Sequence, residues 1–234
     1  MNRISVPIMF LIVCMISACS FSVTVPSLPA KTEVPQIPTA SSTATTAPSP
    51  ELRPYYNDMM GLSFQYPSNW FGPDEYISDQ TLRVEVGSDK VYPYGTGLEE
   101  RIYEQRNSYY VVIQFSRNDQ TQYWKDIYQS LLTLKDGEEW STDGHGVMIR
   151  VGELTIREFS GIEFISTLPI EAQTEPVYSR HILLFDGQSN LLSIMGTPNN
   201  VDFSIAENWR DAYRMVDEAN IEVFHQIARS VSIK

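Results

Sequence analysis

The sequence predicts an α+β domain, a single antiparallel sheet flanked by helices, and three observations carry that expectation. Several segments alternate apolar and polar residues at a period of two, as half-buried strands do. Two others space their apolar residues three and four apart, as helices lying on a core do. Along the chain the order is strands, a helix, a run of strands, a second helix and a last strand. Such an order suits one antiparallel sheet with helices packed on it.

The elements follow in order. Leu62-Ser63-Phe64-Gln65-Tyr66 alternates and is ended by Pro67-Ser68-Asn69. Leu82-Arg83-Val84-Glu85-Val86 alternates too, and Tyr109 to Phe115 is a β-branched and aromatic run suited to a central strand. A helix follows, capped by Asn118 or Asp119, with Tyr123, Trp124, Ile127, Tyr128, Leu131 and Leu132 on its apolar face and Gly137 as its stop. Strands return at Val147–Val151, Leu154–Phe159, Ile162–Leu168, Tyr178–Phe185 and Leu191–Met195, the last two joined through an Asp186-Gly187 turn. Ser204-Ile205-Ala206-Glu207 reads as a capping box opening the second helix. Its stripe is Ile205, Trp209, Ala212, Val216, Ala219, Val223 and Ile227, with a break expected near Asn220. Ser230 to Ile233 is the closing strand. Trp70, Trp124, Trp140 and Trp209 are expected in the core.

The 234 residues carry 17 basic and 29 acidic side chains, a net charge of −12. That balance repels phosphate backbones and anionic headgroups, so nucleic-acid binding and attachment through a basic patch are not expected. The two cysteines, Cys14 and Cys19, both fall in the first twenty residues. A disulfide scaffold, a cysteine-ligated zinc site and a cysteine nucleophile are therefore not expected in the folded part.

The N-terminus opens with Arg3, followed by an apolar run from Val6 to Ile16. About a dozen residues are too few for a bilayer core, which takes about 20, but they have the length of a signal-peptide apolar region. The run ends in Ile16-Ser17-Ala18-Cys19, which resembles the lipobox of bacterial lipoproteins. The family favours Leu where this chain has Ile16. The resemblance implies a diacylglycerol on the Cys19 thiol, cleavage between Ala18 and Cys19, and a freed amine open to palmitate or another acyl chain. Residues 1–18 are then a signal peptide, and the protein sits on the extracytoplasmic face of a bacterial membrane, held by its N-terminal lipid.

Residues 19–54 read as the lipidated cysteine and a tether. Seven of the chain's 14 prolines fall between Ser20 and Pro54, with Ser and Thr filling most of the rest. So little apolar surface predicts disorder, and proline biases such a chain toward an extended form reaching roughly 110 Å at most. Residues 55–234 form the globular domain.

At both ends of that domain the sequence resembles the PsbP-like family. Gly61-Leu62-Ser63-Phe64-Gln65-Tyr66-Pro67-Ser68-Asn69-Trp70 is similar to its opening strand and turn. Phe224-His225-Gln226-Ile227-Ala228-Arg229-Ser230-Val231-Ser232-Ile233 is similar to its closing helix and strand. The resemblance implies an α/β/α sandwich and carries no catalytic residue across.

Chemistry is sparse. There is no Gly-x-Ser-x-Gly, no calcium loop and no glycine-rich phosphate loop. The three histidines, His145, His181 and His225, show no zinc spacing. Asp74-Glu75, Glu99-Glu100, Glu138-Glu139 and Asp217-Glu218 are neighbours that point apart, as acidic surfaces produce freely. No catalytic residue, metal ligand or cofactor is expected. The most suggestive loop is Val91-Tyr92-Pro93-Tyr94-Gly95-Thr96-Gly97, where Tyr92 and Tyr94 are candidate contacts for a partner, although a plain connection explains the loop as well. The expectation is a non-enzymatic envelope module that binds a protein or assembles. The alternatives are a carrier or receptor for a small hydrophobic or sugar ligand, and an acidic-residue hydrolase of envelope polymers.

Overall fold

The computed structural model describes residues 51–97, 100–119, 121–142, 146–168 and 177–234. Ala18, Cys19, the tether as far as residue 50, and His145 lie outside the described residues.

Among the described residues the chain forms β1 (Leu52–Tyr56), β2 (Leu62–Pro67), β3 (Phe71–Ile77), β4 (Thr81–Gly87) and β5 (Ser108–Ser116) before its first helix, α1 (Gln122–Leu132). Then come β6 (Glu139–Thr142), β7 (Gly146–Ile156), β8 (Phe159–Leu168), β9 (Val177–Phe185) and β10 (Leu191–Asn199). A 3₁₀ turn at Phe203–Ile205, the helix α2 (Trp209–Ser230) and β11 (Ser232–Ile233) complete it. Eight strands form the main sheet in the order β3-β4-β5-β10-β9-β8-β7-β6, and every pairing is antiparallel. Beside the expected sheet, β1, β2 and β11 form a small second one.

The helices cover opposite faces, and the pleat explains how. Ile182 and Leu184 of β9 point to one face, where they pack with Val111, Ile113 and Ile194 against Val216, Phe224 and Ile227 of α2. Leu183, between them, points to the other face and packs with Ile162, Phe164 and Leu191 against Ile127 and Leu131 of α1. The α+β class and the layering of helix, sheet and helix are therefore as expected.

Several local expectations need correction. The tether was expected to run to Pro54, yet β1 starts at Leu52 and pairs Leu52 with Pro67. Arg53 explains this, since its guanidinium stacks 4.5 Å from the Tyr66 ring and donates to the carbonyls of Trp70 and Gly72. Pro54 is tolerated because β1 is an edge strand, where a missing N–H leaves no ladder bond unmade. The strands β3 and β6 have no pattern in the sequence that predicts them. Every residue of β3 is at least partly exposed, so no alternation marks it.

Helix starts also differ. Thr121 is the N-cap of α1 and makes no side-chain capping bond, while Asp119 accepts from the Thr121 N–H at 2.7 Å. Gly137 lies beyond the helix, in the turn to β6, at φ +83°. Ser204 belongs to the 3₁₀ turn, and the cap of α2 is Asn208, whose side chain accepts from the Asp211 N–H at 2.9 Å. The helix runs unbroken through Asn220, whose side-chain amide donates to the Val216 carbonyl. Its buried stripe also takes in Tyr213, Asp217 and Phe224, while Val223 packs partly buried against the core as expected and Ala219 is exposed.

Candidate functional site

The loop joining β4 to β5 is built from its base upward. Asp89 is buried, and its carboxylate accepts from the backbone N–H groups of Lys90, Glu104 and Gln105 at 2.7, 2.9 and 2.9 Å. One acid thus ties the two ends of the loop together. Tyr110 supports the same base, donating from its hydroxyl to the Lys90 carbonyl at 2.9 Å. Burial raises the Tyr110 pKa above the ordinary tyrosine value, with Asp89 and Tyr103 adding to the shift.

The two candidate tyrosines separate at this point. Tyr92 is a loop pin. Its hydroxyl donates to the Ile102 carbonyl at 2.5 Å and accepts from the Ile102 N–H at 2.7 Å. Its ring meets the edge of Tyr103 at 5.8 Å, and Tyr103 meets Tyr110 at 5.9 Å. Tyr94 projects outward instead and is 56% exposed. Its backbone N–H donates to Asp74 at 3.1 Å, which fixes the loop crest against β3.

Tyr76 and Arg83, which no motif in the sequence marks, complete the surface. Tyr76 on the edge strand β3 lies 4.5 Å from the Tyr94 ring, and the Arg83 guanidinium lies 5.0 Å from that ring's centre. Tyr76 and Arg83 are register partners on β3 and β4, and Arg83 is held by Glu85 at 2.8 Å. No local spacing links residues 76, 83 and 94, because sheet pairing and a loop crossing bring them together. Two exposed tyrosines and an arginine, held rigidly, are the side chains that protein interfaces favour, and little ordering entropy remains to be lost on contact.

A second cluster lies beneath α2. Arg180 on β9 is held by Asp217 through Nη2 at 2.6 Å and Nε at 3.0 Å, and by Glu163 on β8 through Nη1 at 2.6 Å. The Tyr109 hydroxyl donates to Asp217 at 2.8 Å, and His225 Nε2 lies 3.1 Å from each Glu163 carboxylate oxygen. Burial alone would raise the Glu163 pKa, but the bonds from His225 and Arg180 hold it below the ordinary glutamate value. Burial would lower the Arg180 pKa, and its two carboxylate partners raise it instead. The Asp217-Glu218 pair, expected as surface charge, is split by the helix: Glu218 stays exposed and Asp217 is fully buried. A glycosidase needs two carboxyls facing a cleft, whereas Arg180 fills the space between Glu163 and Asp217. This arrangement pins helix to sheet.

His181 is on the opposite sheet face, stacked on Phe164 at 4.8 Å and bonded to the Ser179 hydroxyl at 2.7 Å. Burial lowers its pKa to about 4. Among the described residues no group of three or more His, Cys, Asp or Glu is placed to hold a metal ion. No helix there is long and apolar enough to cross a membrane.

No family profile and no curated protein matches the chain. Among the solved structures similar to it are two. One is the Ran-binding protein Mog1p of Saccharomyces cerevisiae, at 9% identity and a TM-score of 0.46, covering 79% of this chain and 96% of that one. The other is the cyanobacterial PsbP of Synechocystis sp. PCC 6803, at 12% identity and a TM-score of 0.26, covering 83% of this chain and 99% of that one. At these scores neither carries an argument about this chain.

Proposed function

We propose that this protein is a lipid-anchored, extracytoplasmic module of a bacterial envelope that binds a protein partner through the surface around Tyr94. The observation that supports it most is the exposed Tyr94–Tyr76 ring contact, tilted at 37°, with Arg83 beside it, on a loop fixed at its base by Asp89. The anchor rests on Ile16-Ser17-Ala18-Cys19 at the end of its apolar run. Charge defines the partner. Two of the 17 basic and one of the 29 acidic residues precede Glu51, so from there on 15 face 28, a net charge of −13. Asp74, Glu75 and Glu85 flank Tyr76 in the strand register. A partner surface rich in Lys and Arg around an apolar centre is complementary, with charge setting the encounter and the aromatic pair setting dwell time.

The test uses a photoreactive residue at Pro93, which is exposed beside Tyr94 on the loop. It should capture in cells a protein crosslinked through a basic face, whose affinity for the full chain falls as salt rises. Tyr76→Ala with Tyr94→Ala should abolish the adduct. The same adduct from the double variant, or capture through an acidic face, sinks the proposal. The anchor is tested separately: Cys19→Ser should leave the membrane fraction, and its retention there would refute lipidation.

A further inference from the structure

We infer that the outer face of the small sheet is a binding groove for a saccharide bearing an acidic group. The groove has a volume of about 630 Å³ and shares no residue with the Tyr94 surface. Its floor is a row of short polar side chains, Ser63 and Gln65 on β2 with Ser232 on β11. Tyr56 stands at one wall, 51% exposed, with the Lys234 ammonium 5.6 Å from its ring. Arg157, in the β7–β8 turn, lines it as well.

Charge makes this groove unusual. From Glu51 on the chain carries 28 acidic side chains against 15 basic ones, so a cation there meets a carboxylate more readily than it avoids one. Arg157 and Lys234 nevertheless line one groove with no acidic side chain in its lining. The backbone of Arg157 sits at φ +54°, a left-handed conformation that Gly or Asn takes more easily. Its Nε donates to the Val231 carbonyl at 3.1 Å, which orients the guanidinium, and among the described residues its Nη groups make no hydrogen bond or ion pair. The end of α2 would repel an anion if its carbonyls were bare. Here the Ser230 hydroxyl donates to the Ile227 carbonyl at 2.6 Å and Arg157 covers that of Val231.

The lining matches two parts of one ligand. A sugar ring lays its C–H face on an aromatic such as Tyr56 and exchanges hydrogen bonds with hydroxyls and an amide such as those of Ser63, Ser232 and Gln65. A carboxylate or phosphate on that ring takes charge-assisted bonds from Arg157 and Lys234.

Titration of the full chain, followed by amide ¹H–¹⁵N spectra, tests this with four probes: glucuronate, glucose 6-phosphate, glucose and inorganic phosphate. The two acidic sugars should shift the Ser63, Gln65 and Ser232 amides saturably, and the tighter one identifies the acid. Glucose and phosphate alone should each bind about tenfold more weakly, the loss expected when the charge-assisted bonds or the ring contacts are absent. Arg157→Gly should weaken the acidic sugars about tenfold while keeping the fold, since glycine adopts that φ without strain. Lys234→Gln should act in the same direction. Glucose or phosphate binding as tightly as the acidic sugars would overturn the inference. So would unchanged affinity in both variants, or no saturable shift from either acidic sugar. None of these outcomes bears on Tyr94, so the groove and the protein-binding surface fail separately.

Discussion

Replacing Arg180 with Met should unfold this domain more readily than any surface change. The substitution keeps much of the side-chain volume and removes the cation. The Arg180 side chain is 5% exposed, and its partners Glu163 and Asp217 are 9% and 0% exposed, so water cannot take over as counter-charge. Among the described residues Asp217 would keep only the Tyr109 hydroxyl, and Glu163 only His225. Breaking a buried pair from one side costs about 3–5 kcal/mol, a large part of the 5–15 kcal/mol that holds a typical domain. At a urea slope of about 2 kcal/mol/M, the midpoint should fall by about 2 M. Replacing Arg180, Glu163 and Asp217 together with apolar residues of similar volume should cost less than Arg180→Met alone, because no charge is then stranded. Urea unfolding followed by tryptophan fluorescence measures all of this. A loss below about 1 kcal/mol for Arg180→Met would show a solvated cluster and refute the clamp.

Acid should destabilise the domain in two stages. His181, ordinarily near 6.5, is held neutral to about pH 4, so the unfolded chain binds the extra proton and stability falls as pH drops from about 6.5 toward 4. Glu163 is held below its ordinary 4.5, so its contribution is complete above that value and is lost as pH falls through its lower folded pKa. His181→Phe should flatten the first stage and leave the second, read from urea midpoints against pH. Gly196→Ala should cost about 2 kcal/mol, because a Cβ there meets the Tyr109 hydroxyl and Phe224; an unchanged melting curve would contradict that packing. Tyr92→Phe should speed hydrogen exchange at the Ile102 amide, whose acceptor it removes, without moving the midpoint by more than about 1 kcal/mol. Asn208→Ala should cost about 1 kcal/mol and Ser204→Ala less, and the reverse order would restore Ser204 as the cap.

What was legible in the sequence follows from which patterns are local. The alternation in β2 and β4 and the helical spacing in α1 and α2 report one-sided burial, the unbroken apolar run of β5 reports burial on both faces, and the structure has those elements. The strand β3 gave no signal because neither of its faces is buried. Pro54 argued for a tether because proline is unwelcome in a central strand, yet β1 is an edge. The Ser204 capping box met the local rule, but the bonds from the Ser204 N–H and hydroxyl to Asp202 made it a 3₁₀ turn, and the helix began at Asn208. At Pro54 and Ser204 tertiary placement overrode a correct local preference, whereas β3 offered none to override.

The site was less legible for the same reason. Tyr92 and Tyr94 stood out together as neighbours in an unusual loop, and the structure divides their work: one hydroxyl is spent on Ile102, while the other ring stays exposed. Tyr76 and Arg83 could not be found from spacing, because the register of β3 on β4 supplies the contact. Asp217 could have been found. It lies seven residues before Phe224, two helical turns along the buried face, and an acid at such a position calls for a cation from the sheet beneath. Arg180 answers it from β9, between Ser179 and His181. Gly196, a register partner of Arg180 on β10, leaves the space through which Tyr109 reaches the same carboxylate. Four separated positions thus act as one unit, because an acid in the core cannot be left without its partners.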